Sequence, residues 1–191
     1  GARTAELTLP GFRHDICSAI HPLGLASPFF QTLPLTEYGL EWIQPPVALA
    51  HPLDNDQPVI IQRSLADSAE TMDGDGRAYQ RLMAPLVADL QKIMVDLLGP
   101  LPLPPQHPIA MARFGISAIR SAAGLAKSLF HGPRAQAIFA GMAGHSMMPL
   151  EQPATAAFAL TLGMLAHGVG WPIPHYGSQS ITDTMAAYLR S

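Results

Sequence analysis

The residues in this chain whose types could do chemistry are eight histidines, one cysteine, an Asp-Gly run and a glycine-rich turn near the end. The histidines are His14, His21, His51, His107, His131, His145, His167 and His175. A metal centre built from histidine needs pairs at helical spacing or cysteine partners. No pair here has that spacing and Cys17 stands alone, so no metal site is expected. Asp73-Gly-Asp-Gly76 opens like a calcium loop, but Ala84 stands where the bidentate glutamate is required. That run reads as a turn feeding a helix N-terminus. Gly144-His-Ser-Met-Met148 lacks the strained serine elbow of a hydrolase. No catalytic side chain is assigned.

Two glycine-containing stretches carry more. Gly141-Met-Ala-Gly144 lets a backbone approach closely, either another helix or a flat ligand, and helix packing is the plainer reading. Gly170-Trp-Pro-Ile-Pro-His-Tyr-Gly-Ser-Gln-Ser-Ile181 joins a proline-rich turn, a glycine and a helix start. Free N–H groups and the helix dipole at such a place favour an electron-rich ligand edge.

These stretches need a scaffold, and 191 residues allow one ordinary domain or two small ones. The chain is 48% hydrophobic and only 13% charged, so it can bury a large core and still leave apolar surface. A net charge of −3 without a basic stripe excludes a nucleic-acid partner. The lone Cys17 excludes an internal disulfide and fits a reducing, cytoplasmic compartment. Between Ala135 and Thr182 the only fully charged side chain is Glu151. Pro149 and Pro153 divide that stretch into pieces shorter than the roughly 20 residues of a membrane span, so two core helices are expected.

Strand signals come first. Thr4 to Leu9 and Phe12 to Ile16 flank Pro10-Gly11 as a hairpin, and Leu40 to Ile43 is a short strand. Pro28 to Leu35 is a short helix or turn. Val47 to Leu53 and Val59 to Gln62 form a second hairpin with a loop of five residues, Asp54 to Pro58. From Ser64, a capping residue, the period becomes helical. Leu82, Leu86, Leu90, Ile93 and Leu97 mark one helix face, with a kink or late start at Pro85 and an end at Gly99-Pro100. Leu101 to Pro108, with four prolines, is a stiff connector. A single helix from Ile109 to Phe130 follows, with an apolar face of Ile109, Ala112, Ile116, Ile119, Ala123 and Leu129 and a polar stripe of Arg113, Arg120 and Lys127. Pro133 and Pro153 suit the first position of two more helices. Trp171 to Pro174 is extended, and Gly177 to Leu189 is a helix with Ser178 or Ser180 as cap. Strands followed by helices predict an α+β fold, a small mostly antiparallel sheet and then a helical bundle, divided into residues 1–63 and 64–191.

The two ends of the chain together resemble a known family. Gly1-Ala-Arg-Thr4 resembles the tail of the G-G-[RG]-A-R-[ST] element of FAD-dependent oxidoreductases of the phytoene desaturase and amine oxidase type. There a hairpin then leads into F-D-x-G-P, and Phe12-Arg-His-Asp15-Ile-Cys-Ser18 takes that place, keeping Asp15. Pro174-His-Tyr-Gly177 resembles the family's P-x-G-G beside the flavin, with Tyr176 where the first glycine is usual. The middle, Gly24 to Pro149, resembles the bacterial phytoene-dehydrogenase-like branch, including GLEWIQPPVALAHPL.

The resemblance implies that Arg3 and Thr4 lie along the FAD phosphates or ribitol, and that Pro174 and Gly177 lie near the flavin ring. It implies flavin redox chemistry on an apolar, isoprenoid-like substrate, with the cofactor and not the side chains carrying the hydride. The G-x-G-x-x-G turn that holds the FAD pyrophosphate is missing from these residues. The chain therefore reads as the substrate-side part of such an enzyme, expected on its own to bind FAD weakly and to turn nothing over. The expected partners are an apolar small molecule, a membrane surface touched peripherally, and a second copy through exposed apolar surface. The alternative is a non-catalytic module that binds an apolar ligand or docks on a membrane.

Overall fold

The computed structural model describes residues 2–54, 56–100 and 103–191. Gly1 of the Gly1–Thr4 element, Asn55 of the second hairpin and Leu101-Pro102 of the connector lie outside the described residues. The fold is α+β as expected, and its antiparallel strands form three two-stranded ribbons among the described residues.

Strands β1 (Thr4–Glu6) and β2 (Arg13–Asp15) form the expected first hairpin. Helices α1 (Pro22–Ala26) and α2 (Pro28–Gln31) each begin on a proline, whose fixed φ suits the first helical turn. Strand β3 (Trp42–Ile43) is short, and β4 (Val47–Leu53) and β5 (Asp56–Gln62) make the second hairpin. Its ladder closes at Leu53 opposite Asp56, so the loop is shorter than expected and Pro58 sits within a strand. Helix α3 (Leu65–Glu70) starts at Ser64, whose Oγ accepts from Asp67 N–H at 3.2 Å. A single 3-10 turn at Asp73–Asp75 leads into α4 (Gly76–Ala88), and α5 (Leu90–Leu98) follows.

The expected kink at Pro85 is not where the chain breaks. Pro85 lies within α4, and the helices divide at Asp89, with φ −99° and ψ 10°. The expected single helix after the connector is also two, α6 (Pro108–Ala118) and α7 (Ala122–Leu129). Ser121 ends the first by capping the second: its Oγ accepts from Gly124 N–H at 3.1 Å. Helix α8 (Pro133–Ala143) begins on Pro133 as expected. Pro153 does not begin a helix; α9 (Ala156–Gly168) starts three residues later, after Ala154 at φ +66°. Strand β6 (Ile173–Pro174) pairs with β3, and α10 (Gln179–Arg190) closes the chain.

By compactness the chain forms two units, residues 1–45 with 171–191, and residues 46–170. The division anticipated near residue 63 follows the change from strand to helix; the compact units follow tertiary packing instead. In the first unit Leu35, Leu40 and Ile181 form a small core, covered by Phe30, Leu33, Trp42 and Met185.

The second unit is built around α9, which packs on α4, α6, α7 and α8. Ala159, Leu160, Met164, Leu165 and Ala166 are fully buried, which explains why α9 is apolar around most of its circumference. The most apolar stretch of the chain is thus core, as expected, and no helix of the described residues is long and apolar enough to cross a membrane. Gly141 serves packing: a Cβ there would stand 1.7 Å from Cε1 of His51 on β4.

Helix starts in this unit are completed by distant carboxylates. Asp75, 4% exposed, caps no helix of its own. It accepts from His131 N–H at 3.0 Å and Gly132 N–H at 2.6 Å, just before α8. Asp96 accepts from Gln106 N–H at 3.0 Å and His107 N–H at 2.9 Å, just before α6. Arg134, also buried, donates to the carbonyls of Thr71, Gln57 and Pro58 and so ties α8 to β5 and the end of α3. Asp89 is held by Lys92 and Arg113, and these contacts keep its carboxyl below the usual range.

His167 is buried on α9 with its Nε2 2.9 Å from Tyr79 Oη. Burial pushes its pKa below the ordinary value, against an opposing pull from the main chain of Arg63 and Gln62. Burial likewise raises the Tyr79 hydroxyl, so the pair is neutral.

Two outcomes follow. Asp75→Ala leaves the His131 and Gly132 N–H groups without their acceptor and is expected to cost about 1–3 kcal/mol, read as a lowered urea midpoint. Because folding holds His167 neutral, the unfolded chain binds the extra proton, so stability is full above pH 6.5 and falls as pH drops below it. His167→Gln should remove part of that slope in urea titrations across this range; an unchanged slope would mean His167 does not contribute.

Candidate functional site

The site is assembled entirely within the first unit, from the hairpin and the turn that precedes α10. Antiparallel pairing sets Thr4 opposite Asp15. That register brings Thr4 Oγ1 to Asp15 Oδ1, and the hydroxyl donates to the carboxylate at 2.6 Å.

The turn arrives from the other end of the chain. Pro174 is the last residue of β6, held by pairing with Trp42. Gly177 N–H donates to Pro174 O at 3.0 Å, which closes the turn. Tyr176 at φ +67° and Gly177 at φ +93° are both left-handed. Two such residues reverse the chain sharply and aim the next amides at the hairpin. Ser178 N–H donates to Asp15 Oδ1 at 2.8 Å and Gln179 N–H donates to Thr4 Oγ1 at 3.0 Å. Thr4 N–H returns a bond to Gln179 Oε1 at 3.3 Å. The N-terminus of α10 is therefore capped by a threonine and an aspartate more than 160 residues away in sequence.

Ser178 is fully buried, and its hydroxyl does not cap its own helix. It donates to Ser18 O and lies 2.7 Å from His21 Nε2, which fits His21 carrying its proton on that nitrogen. Burial pushes the Asp15 carboxyl up, but hydrogen bonds from Thr4 and Ser178 and the nearby His21 ring outweigh it, and the net shift is downward. Burial lowers His21, and the Ser18 main chain and Asp15 partly restore it.

Gly177 has no room for a side chain. A Cβ there would stand 2.5 Å from Thr4 Oγ1 and 2.9 Å from Asp15 Oδ1. The glycine is required by the protein's own hairpin as well as by its φ.

Beside this junction lies an open cleft of about 370 Å³, lined by Thr4, Glu6, Arg13, Tyr176, Gln179 and Asp183 among others. The Arg13 guanidinium lies 5.6 Å from the centre of the Tyr176 ring, and His175 stacks on that ring at 3.9 Å. His175 Nδ1 is in turn 2.8 Å from Glu41 Oε2. With two carboxylates and one guanidinium on its walls, the cleft suits a neutral polar edge better than a phosphate.

Of the four residues expected to face a cofactor, Thr4 and Gly177 meet directly, and Pro174 is tied to Gly177 through the turn. Arg3 is exposed; its carbonyl accepts from Ile16 N–H at 3.0 Å and so extends the hairpin. One expectation is corrected. The amides at the start of α10 are not free for a ligand, because Asp15 and Thr4 already accept from them. Asp15 thus caps a remote helix, and Ser178 and Gln179 belong to the junction. The sequence signal was present in the retained Asp15, but its partner could not be read from spacing. His14 Nε2 lies 2.9 Å from Thr8 Oγ1 on the hairpin. Among the described residues no three His, Cys, Asp or Glu side chains gather as metal ligands would.

No protein-family model matches this chain, and no curated protein matches it.

The junction predicts opposite effects at neighbouring positions. Tyr176 holds a left-handed conformation that costs an L-residue about 1–2 kcal/mol, so Tyr176→Gly should raise the thermal midpoint unless the His175 and Arg13 contacts outweigh the relief. Gly177→Ala should lower it, by about 1–3 kcal/mol of strain and overpacking.

Proposed function

We propose that this chain is the substrate-side part of a flavin-dependent oxidoreductase, of the dehydrogenase and desaturase kind, acting on an apolar and isoprenoid-like substrate. The observation that carries the reading is the junction of Thr4, Asp15 and Gly177. The two short stretches that resemble flavin-proximal elements stand at opposite ends of the chain, yet they hydrogen-bond to each other. A second observation agrees with it. Tyr176, at the position where the resembled P-x-G-G motif carries its first glycine, adopts a glycine-like left-handed φ.

In this reading FAD supplies the hydride chemistry. The chain's residues would position it: Pro174 and Gly177 shape the turn beside the flavin ring, Thr4 holds that turn to the hairpin, and Arg3, exposed just before β1, would meet the phosphates. Arginine suits that role because its planar fork matches phosphate oxygens. No side chain is assigned to acid-base work. The lone Cys17 fits a reducing compartment, and we place the protein in the cytoplasm.

The test is the visible absorption spectrum and intact mass of the native gene product. Flavin bands in a product of roughly 450–550 residues, about three domain lengths, are expected. A colourless product of the present length would overturn the reading and leave an apolar-ligand module. The isolated chain has no G-x-G-x-x-G turn and should not retain stoichiometric FAD in equilibrium dialysis.

A further inference from the structure

Helix α6 buries Ala110, Phe114 and Ala118 and leaves Ile109 and Ile116 outside, 76% and 71% exposed. Its first turn borders a second cleft, of about 320 Å³, whose lining lies wholly within the second unit. Asp89 and Lys92 at the start of α5 form one wall, and His107, Ile109, Ala110 and Arg113 form the other.

Helical spacing brings the charges together there. Lys92 follows Asp89 by three residues, about one turn, and its Nζ donates to Asp89 Oδ1 at 2.9 Å. Arg113 follows Ile109 by four, and a helical side chain leans toward its own N-terminus, which carries the guanidinium back over the first turn. Its Nη1 donates to the other oxygen of Asp89. Asp89 is buried, while the Lys92 and Arg113 side chains are 55% and 45% exposed.

Both cations keep donors in reserve. A guanidinium has five N–H groups and an ammonium three. Asp89 takes Nη1 of Arg113, and the Nε and Nη2 edge has no acceptor among the described residues. That edge carries two parallel N–H bonds, the fork that matches the two oxygens of a carboxylate. The amides of Ile109 and Ala110 also find no acceptor among the described residues, whereas Asp96 has taken those of Gln106 and His107. The rest of the lining is apolar, with Pro108 beside Ile109.

We propose that this cleft binds a small monocarboxylate with an apolar body. The carboxylate accepts from the free edge of Arg113 and from Lys92, and the body rests on Pro108 and Ile109. Asp89 sets the charge that fits. Two cations share one buried carboxylate, so with His107 neutral the walls hold one positive charge in excess, and one negative charge balances it. A phosphate dianion would overshoot that balance and meet repulsion from Asp89. A neutral ligand would leave the charged donors without an ionised acceptor. The volume is near the lower end of the roughly 300–1,000 Å³ usual for small-molecule sites, which suits a compact ligand and not a long chain. The inference does not depend on the flavin reading, since it rests on residues of the second unit alone.

The experiment uses three probes that share one ring: benzoate, benzamide and phenyl phosphate. Each is titrated into the full native gene product at about pH 8, where histidine is neutral and a phosphomonoester is a dianion. Affinity is read by calorimetry, and location by the methyl resonance of Ile109. Benzoate is expected to bind saturably and to shift that resonance, with benzamide about tenfold weaker. Phenyl phosphate should also bind more weakly than benzoate. Arg113→Gln should weaken benzoate by about tenfold or more, since it removes the charged fork. Lys92→Gln should weaken it by up to about fivefold, and Lys92 is exposed enough for that variant to fold if Arg113→Gln does not. Circular dichroism checks the fold of each. The inference is overturned if benzoate does not bind saturably or leaves Ile109 unshifted, or if benzamide or phenyl phosphate binds as tightly. It is also overturned if folded Lys92→Gln and Arg113→Gln both bind benzoate as the parent does.

Discussion

The interaction on which most of this structure depends is a carboxylate accepting hydrogen bonds at the start of a helix that lies elsewhere in the chain. Helix N-termini carry unsatisfied N–H groups and partial positive charge. Helices α2, α3 and α7 satisfy a donor with a local serine. The starts of α6, α8 and α10 have no side-chain cap of their own. Asp96, Asp75 and Asp15 supply it from outside. Two of these helices begin on proline, which removes one donor and leaves the preceding amides to be satisfied. An ionised acceptor makes the stronger bond, and burial makes its loss costlier. Each contact therefore fixes where a helix begins and also which remote segment it must touch. In a chain with so few charged residues, three of the aspartates are spent on this.

That device also limits what could be read from sequence. Local signals were legible: the two hairpins, the Ser64 start of α3, Pro133 opening α8, and the change from strand to helix. The break between α6 and α7 was hidden because Ser121 looks like any helical serine until its Oγ is seen to cap Gly124. The pairing of β3 with β6 joins residues far apart in sequence, and two-residue strands carry no periodicity. Asp75 stood in a Gly-rich run that reads as a local turn, while its bonds go to the start of α8. Periodicity did find the apolar stripe of α6. It could not say that the stripe faces outward, because the choice is made by the partner. Ala110, Phe114 and Ala118 take the buried side of α6 instead.

The candidate site shows the same separation of local from remote information. Thr4, Pro174 and Gly177 were identified through resemblance to short elements, and they do converge. What holds them is different from what the elements alone implied. The helix dipole of α10 is met by Asp15, so its amides serve the fold. A ligand at this place would meet the open face of the turn, where Tyr176 is exposed and its stacked neighbour His175 half-buried, together with Gln179 and Arg13 along the cleft. The lowered Asp15 pKa belongs to the same economy, because the carboxylate stays ionised to do its structural work. A perturbed acid in a site is often read as a catalyst. Here Thr4 and Ser178 occupy its bonded oxygen, and its role is to position the turn.

The distribution of apolar residues separates two demands that composition alone merges. High hydrophobicity with little charge could mean a large core or a greasy surface. Helix α9 answers the first, being buried along nearly its whole length. Helix α6 answers the second, since its isoleucines stay outside although a repacked face could have buried them. Inverting α6 would move Arg113 off Asp89, which it now shares with Lys92. The Arg113–Asp89 contact thus helps to fix which side of α6 carries the isoleucines. With Ala110, Phe114 and Ala118 buried on the other side, α6 keeps Ile109 and Ile116 in solvent.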